Sequence, residues 1–214
     1  MSHSPIIKGI IDLGATCNFE GQHALRVSTL ALRLFDDLQQ LHRMGNTERI
    51  WLRAAALLHD IGKPQGSKRH HKVARDIILN SPELPLRWEE RVIIALIARY
   101  HRGALPRRRH AYFGTLDSDA QRCVAKLAAL LRLADGLDKG RASLVGDVRC
   151  EIHPLSILLH VVSPDLLAVD KVLRKARLFE VAFGRRVAVR VQMAPWSSEL
   201  RLDSTSDFAY AGAV

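Results

Sequence analysis

Apolar residues in the first two thirds of the chain recur every three to four positions, the period of one helix face. From Glu20 to about Arg43 they fall at Val27, Leu30, Ala31, Leu34, Leu38 and Leu41. The same spacing predicts a helix over Thr47 to His59, with Thr47 as N-cap and Gly62 as the stop signal. Another is predicted over His70 to Asn80, ended by Ser81-Pro82. Helices over Trp88 to His101 and over Asp117 to about Leu137 then flank a basic loop that runs from Arg102 to His110. Near the start, Ile6, Ile7, Ile10 and Ile11 suggest a further segment, packed on the core or docking elsewhere.

The period changes after residue 146. Residues 148–152 and 157–162 flank the turn HPLS, which predicts a hairpin. Asp165 to Phe183 reads as a helix with Gly184 as its C-terminal stop. Val187, Val189, Val191 and Met193 alternate with polar residues and mark a third strand. The predicted fold is therefore mainly α: a helical domain over 1–146, a small β-β-α-β unit over 147–193, and a frayed polar tail over 194–214.

Ionisable residues stand in line with the apolar stripes of the helical domain. His23 lies four residues before Val27 and seven before Leu30, so it points inward. His59 and Asp60 follow Leu57 and Leu58, and His70 shares a face with Val73, Ala74 and Ile77. His101 continues the row of Ile93 and Ile97, and Asp135 continues Val124, Ala128 and Leu131. Any one of these reads as a satisfied core histidine or a capping carboxylate. Six pointing inward from five helices need a shared positive charge, because a dry core cannot satisfy so many acceptors. A divalent cation supplies it, one or two per chain, and mixed His/Asp ligation suits Mn, Fe, Co, Ni or Zn better than Ca.

Composition narrows the setting. The 214 residues are 48% hydrophobic, enough for one well-buried core. No run of 18 apolar residues predicts a membrane span, and MSHSPIIKG lacks the pattern of a signal peptide. Three widely spaced cysteines, Cys17, Cys123 and Cys150, fit a reduced cytoplasmic compartment better than a disulfide framework. A net charge of +10 points to anionic partners such as nucleotides, polyphosphate or nucleic acid, without choosing among them.

The order His23, His59-Asp60, Asp135 resembles the HD superfamily of metal-dependent phosphohydrolases. LLHDIG (57–62), HHK (70–72), ARYHR (98–102) and LAALLRLADGLD (127–138), with FEVAFGR (179–185), sharpen the likeness. Together they resemble the C-terminal HD region of the exopolyphosphatase/guanosine-pentaphosphatase (Ppx/GppA) family over roughly residues 6–192. The resemblance implies an HD-domain helical bundle in which His23, His59, Asp60 and Asp135 bind one divalent metal. His70 and His101 match the positions of a second metal's ligands, with Asp60 as the bridge. This chain reads HHKVA at 70–74 where many relatives read HHKHS, which makes His71 the fallback for His70. The family's actin-like phosphatase domains normally precede this region and are not among these residues, so exopolyphosphatase chemistry is not carried over.

The expected reaction is hydrolysis of a phosphate ester or anhydride of nucleotide, guanosine polyphosphate or polyphosphate type. Asp60, Lys63 and Arg102 are the candidate catalytic groups. Arg26, Lys63, Arg102, Arg107 and Arg109, with Arg108 in the same run, are candidates for binding or steering the anion. Asp138 is a candidate for orienting water or sugar, or a helix-end cap. Nucleic acid and membrane are not expected partners; a second copy or a separate phosphatase subunit is open. The competing readings are a noncatalytic polyphosphate- or nucleotide-binding module that regulates such a subunit and, as a minor one, a di-iron oxygenase.

Overall fold

The apolar stripe that starts near Val27 continues past one joint. In the computed structural model, which describes residues 4–17, 21–66, 68–138, 145, 147–163 and 169–193, the predicted first helix is two: α2 (Gly21–Asp37) and α3 (Gln39–His42). Leu38 is the joint and stays fully buried, so the stripe carries no trace of the break. His42 holds the turn shut. Its Nδ1 accepts from the Met44 N–H at 3.0 Å, leaving Nε2–H to donate to the Phe35 carbonyl at 2.7 Å. Arg43, at φ 57°, ends the segment in the left-handed region.

Before these comes α1 (Ser4–Thr16), which seats Ile10 and Leu13 in the core and leaves Ile11 exposed. Next is α4 (Asn46–Leu58), capped two residues earlier than predicted. Gly45 occupies the N-cap, its N–H donating to the Glu48 carboxylate at 2.7 Å, and Thr47 lies inside the helix. A 3₁₀ turn (Lys63–Gln65), α5 (His70–Asn80), α6 (Trp88–Arg99) and α7 (Ser118–Leu137) complete the bundle. Tyr100 and His101 lie just past the end of α6 rather than inside it.

α7 is the axis of the fold, packing against α2, α4, α6 and α8 (Val169–Phe183). Its residues 127–137 are all buried. Asp117 starts it, one carboxylate oxygen accepting from the N–H groups of Asp119 and Ala120 at 2.9 and 2.8 Å. Asp117→Ala should therefore cost about 1 kcal/mol of stability, measured by urea denaturation. A curve superimposable on that of the parent protein would show that this cap contributes nothing.

The three strands β1 (Asp147–Ile152), β2 (Ser156–Ser163) and β3 (Arg186–Met193) form one sheet in that order. β1 and β2 are the predicted hairpin, antiparallel from Asp147↔Val162 to Ile152↔Ile157. β3 pairs with β2 in parallel, which requires a crossover, and α8 supplies it. Ile157, Leu159, Val161 and Ser163 alternate inward along β2. Val148, Leu159, Val172 and Phe179 belong to the same apolar cluster as Leu34, Leu58 and Leu131, so α8 and the sheet share the core of the bundle. The Asp37 carboxylate, at the end of α2, accepts from the Cys150 N–H at 2.8 Å and ties the two together. The predicted start of α8 at Asp165 and the predicted tail over 194–214 lie outside the described residues. No helix among the described residues is long and apolar enough to cross a membrane.

Candidate metal centre

A helix end leaves its last carbonyls without partners, and two histidines use this. His59 directly follows α4, and its Nδ1 lies 2.7 Å from the Ala56 carbonyl. His101 follows α6, and its Nδ1 lies 2.7 Å from the Ala98 carbonyl. A carbonyl only accepts, so each Nδ1 carries a proton, and in the neutral ring each Nε2 presents a bare lone pair. His23, on α2, is set the same way by a carboxylate: its Nδ1 is 2.5 Å from Asp138 Oδ2. The other oxygen of Asp138 accepts from Arg26 Nε at 2.9 Å. Fixing one ring nitrogen so that the other is free is how metal-binding histidines are oriented.

These nitrogens, joined by Nε2 of His70, converge on Asp60 and divide its carboxylate between them. Oδ2 faces His59 Nε2 at 3.2 Å and His23 Nε2 at 3.4 Å. Oδ1 faces His70 Nε2 at 3.1 Å and His101 Nε2 at 3.7 Å, and those two nitrogens are 3.3 Å apart. Asp135 Oδ1 stands 3.6 Å from His23 Nε2. All six residues are buried. His59 is fully buried, yet its Nε2 has no hydrogen-bond partner among the described residues. A lone pair aimed at a carboxylate oxygen in a dry interior is repulsive, and an unsatisfied buried polar atom is costly. Positive charge between them removes both problems.

Two overlapping groups have donor atoms that lie within 4.8 Å of one another: His23, His59 and Asp60, and Asp60, His70 and His101. Both can hold a metal ion, and their mixed nitrogen and oxygen donors suit a divalent transition metal. Protons on the rings are the other source of that positive charge: burial opposes ionisation of Asp60, but hydrogen bonds from His23, His59 and His70 outweigh it and hold the carboxyl well below the usual range. Burial likewise lowers His23, but Asp138 and Asp60 prevail and raise it. His101 goes the other way: complete burial and the neighbouring His59 hold it neutral, the form a metal ligand needs.

Cationic side chains surround the cluster. Lys63 Nζ is 2.5 Å from Asp60 Oδ2, and Arg102 Nη1 is 3.4 Å from both ring nitrogens of His70. Arg26 reaches the centre only through Asp138, so both are positioning residues for His23. His71 is buried 5.8 Å from the His70 ring, centroid to centroid, and belongs to neither ligand group. Burial, then Arg99 and Arg102, push it down to about 4. Arg107 and Arg108 are exposed on the loop beyond, and Arg109 lines a separate pocket. Among the described residues none of the three meets the His/Asp cluster.

One residue of the centre escaped the sequence reading. Lys175, from α8, pairs with Asp135 Oδ2. Burial, followed by Arg132, pushes its amine down to about 7. The signal was present, since Lys175 lies three residues after buried Val172 and four before buried Phe179. A lysine on the buried stripe of a helix needs an acid to meet.

No curated protein matches the chain. The family profile of the Ppx/GppA phosphatase, domain III, matches residues 8–178, a span that includes all six His/Asp residues, Lys63, Arg102 and Lys175. With most of its length matched, the chain belongs to the Ppx/GppA phosphatase family, through domain III.

Proposed function

We propose that the chain is an HD-type, metal-dependent phosphohydrolase that acts on a phosphate ester or anhydride of nucleotide, guanosine polyphosphate or polyphosphate type. The observation that carries this reading is the convergence of the buried Nε2 atoms of His23, His59, His70 and His101 on both oxygens of Asp60. Membership of a phosphatase family supports the substrate class. His23, His59, Asp60 and Asp135 would hold one divalent metal, and Asp60, His70 and His101 a second. A metal there supplies Lewis acidity toward a phosphoryl oxygen and a water of lowered pKa.

The side chains contribute the rest. Lys63 pairs with Asp60 while 41% of its side chain remains exposed, so its ammonium can turn to a phosphoryl oxygen at the rim. Arg102, half-buried beside His70, offers planar donors to the same group. Asp138 keeps the His23 proton on Nδ1 and so keeps Nε2 free. Arg107 and Arg109 serve at a distance, by raising the local concentration of an anionic substrate.

A second reading has its own support. Lys63 on Asp60 and Lys175 on Asp135 already meet both carboxylates with cations, which a noncatalytic polyphosphate- or nucleotide-binding module, partnering a separate phosphatase subunit, would need. Elemental analysis of the purified chain, followed by a phosphoester screen with Mn, Co and Ni, decides between them. The hydrolase reading expects bound transition metal and turnover, both lost in His59→Ala and Asp135→Ala. Full metal occupancy without turnover on any nucleotide or polyphosphate overturns it in favour of the binding module. Iron-dependent oxygen consumption overturns it in favour of the oxygenase.

A further inference from the structure

A second concentration of positive charge lies between α5, α6 and the loop that follows. Lys72 and Arg75 occupy one face of α5; Leu96, Arg99 and Tyr100 face them from the end of α6. With Arg109, His110 and Ala111 they line a pocket of about 270 Å³. It shares no residue with the His/Asp cluster.

Arg99 makes the pocket chemically unusual. It is 8% exposed, and its Nη1 is buried with no hydrogen-bond partner among the described residues. A guanidinium placed this way leaves a strong donor unsatisfied, a costly arrangement unless a ligand completes it. Its nearest aromatic contact is the ring of Tyr100, 5.3 Å from the guanidinium carbon, which supplies no acceptor for that N–H. Asp76 is the carboxylate at hand, and Arg75 takes it at 2.8 and 2.6 Å. Lys72, Arg99 and Arg109 make no ion pair among the described residues. His110 is anchored by Tyr100, its Nδ1 2.9 Å from the hydroxyl.

Burial and the neighbouring Arg75 push the Arg99 guanidinium down, so its charge is held against the preference of its surroundings. A methionine at this position would fill the space without an unsatisfied donor. The arrangement makes physical sense when an oxyanion supplies the missing acceptors, because guanidinium groups match phosphate oxygens in charge and in planar geometry.

We infer that this pocket is a second anion site, separate from the metal centre, that binds a phosphate group through Arg99, Arg109, Lys72 and Arg75. The group is either inorganic phosphate or one unit of a phosphate chain. The inference does not depend on hydrolysis at the metal centre, since the two share no side chain.

Isothermal titration calorimetry on the full chain, stripped of metal by a chelator, tests it. Inorganic phosphate and tripolyphosphate are titrated at matched ionic strength into the parent protein and into Arg99→Met, Arg109→Gln and Asp60→Asn. One phosphate site per chain is expected, with Kd raised about tenfold or more in each arginine variant, as for a lost charged hydrogen bond, and unchanged in Asp60→Asn. Tighter tripolyphosphate binding through the same arginines identifies a phosphate chain as the ligand, and equal affinity identifies a single phosphate group. Arg99→Met should melt at or above the temperature of the parent protein in phosphate-free buffer. Arg109→Gln, altered on the exposed loop, carries the test should Arg99→Met fail to fold. Absence of binding, binding retained in the arginine variants, or binding lost in Asp60→Asn overturns the inference.

Discussion

Asp60→Asn should strip the chain of every bound metal and lower phosphoester turnover by about a hundredfold or more, given that even the outer partners of metal ligands are worth about 10–100-fold. Geometry sets this expectation. Each oxygen of Asp60 serves a different pair of nitrogens, His59 and His23 on one side, His70 and His101 on the other. Asparagine keeps the shape but replaces one oxygen by an N–H₂ donor, which opposes a cation, and removes the negative charge that balances it. His70→Ala touches one pair only, so it should lose the second metal and keep the first. Elemental analysis after dialysis separates the cases. If Asp60→Asn still retains a full complement, the carboxylate is not shared and the proposed bridge is wrong.

How much of this centre could be read from the sequence depends on where each residue stands. His23, His70 and Asp135 lie on helices, where the period of the apolar residues fixes the direction of every side chain, so their inward position was legible. Asp60 sits in the turn after α4, where the period has no force. Its bridging position was expected from the family resemblance alone, and the distances show how its two oxygens are divided between the histidines. The proton positions were hidden for another reason, since they depend on the backbone carbonyls of Ala56 and Ala98. Arg99 was readable in principle: it continues the buried face of Val92 and Leu96, as Lys175 does that of Val172. The break at Leu38 was not, because an apolar stripe that keeps its spacing looks the same across a joint. The hairpin was visible in its turn, whereas the parallel pairing of β3 with β2 rests on a crossover that strand patterns do not encode.

Gly62→Ala should lower stability by about 3 kcal/mol, or Tm by roughly 6–12 °C for a chain of this size. The cost is steric and not conformational. Gly62 has φ −85° and ψ 0°, which alanine adopts without strain. A Cβ there, however, would lie 2.5 Å from the His70 carbonyl oxygen, 2.8 Å from Ala74 N and 2.8 Å from Val73 Cβ. The first two are backbone atoms in the opening turn of α5, so no side-chain rotation relieves the clash and the helix itself must retreat. That helix carries His70, which faces Asp60 at 3.1 Å. The substitution should therefore weaken the second metal more than the first, since His23 and His59 are held by α2 and α4. Gly21→Ala is the control, because a Cβ there meets nothing within 4 Å. Thermal denaturation and metal content of the two variants check the argument together. Equal melting temperatures would mean that α5 does not rest on this glycine, and the tight packing behind the His59-Asp60 turn would lose its role in placing His70.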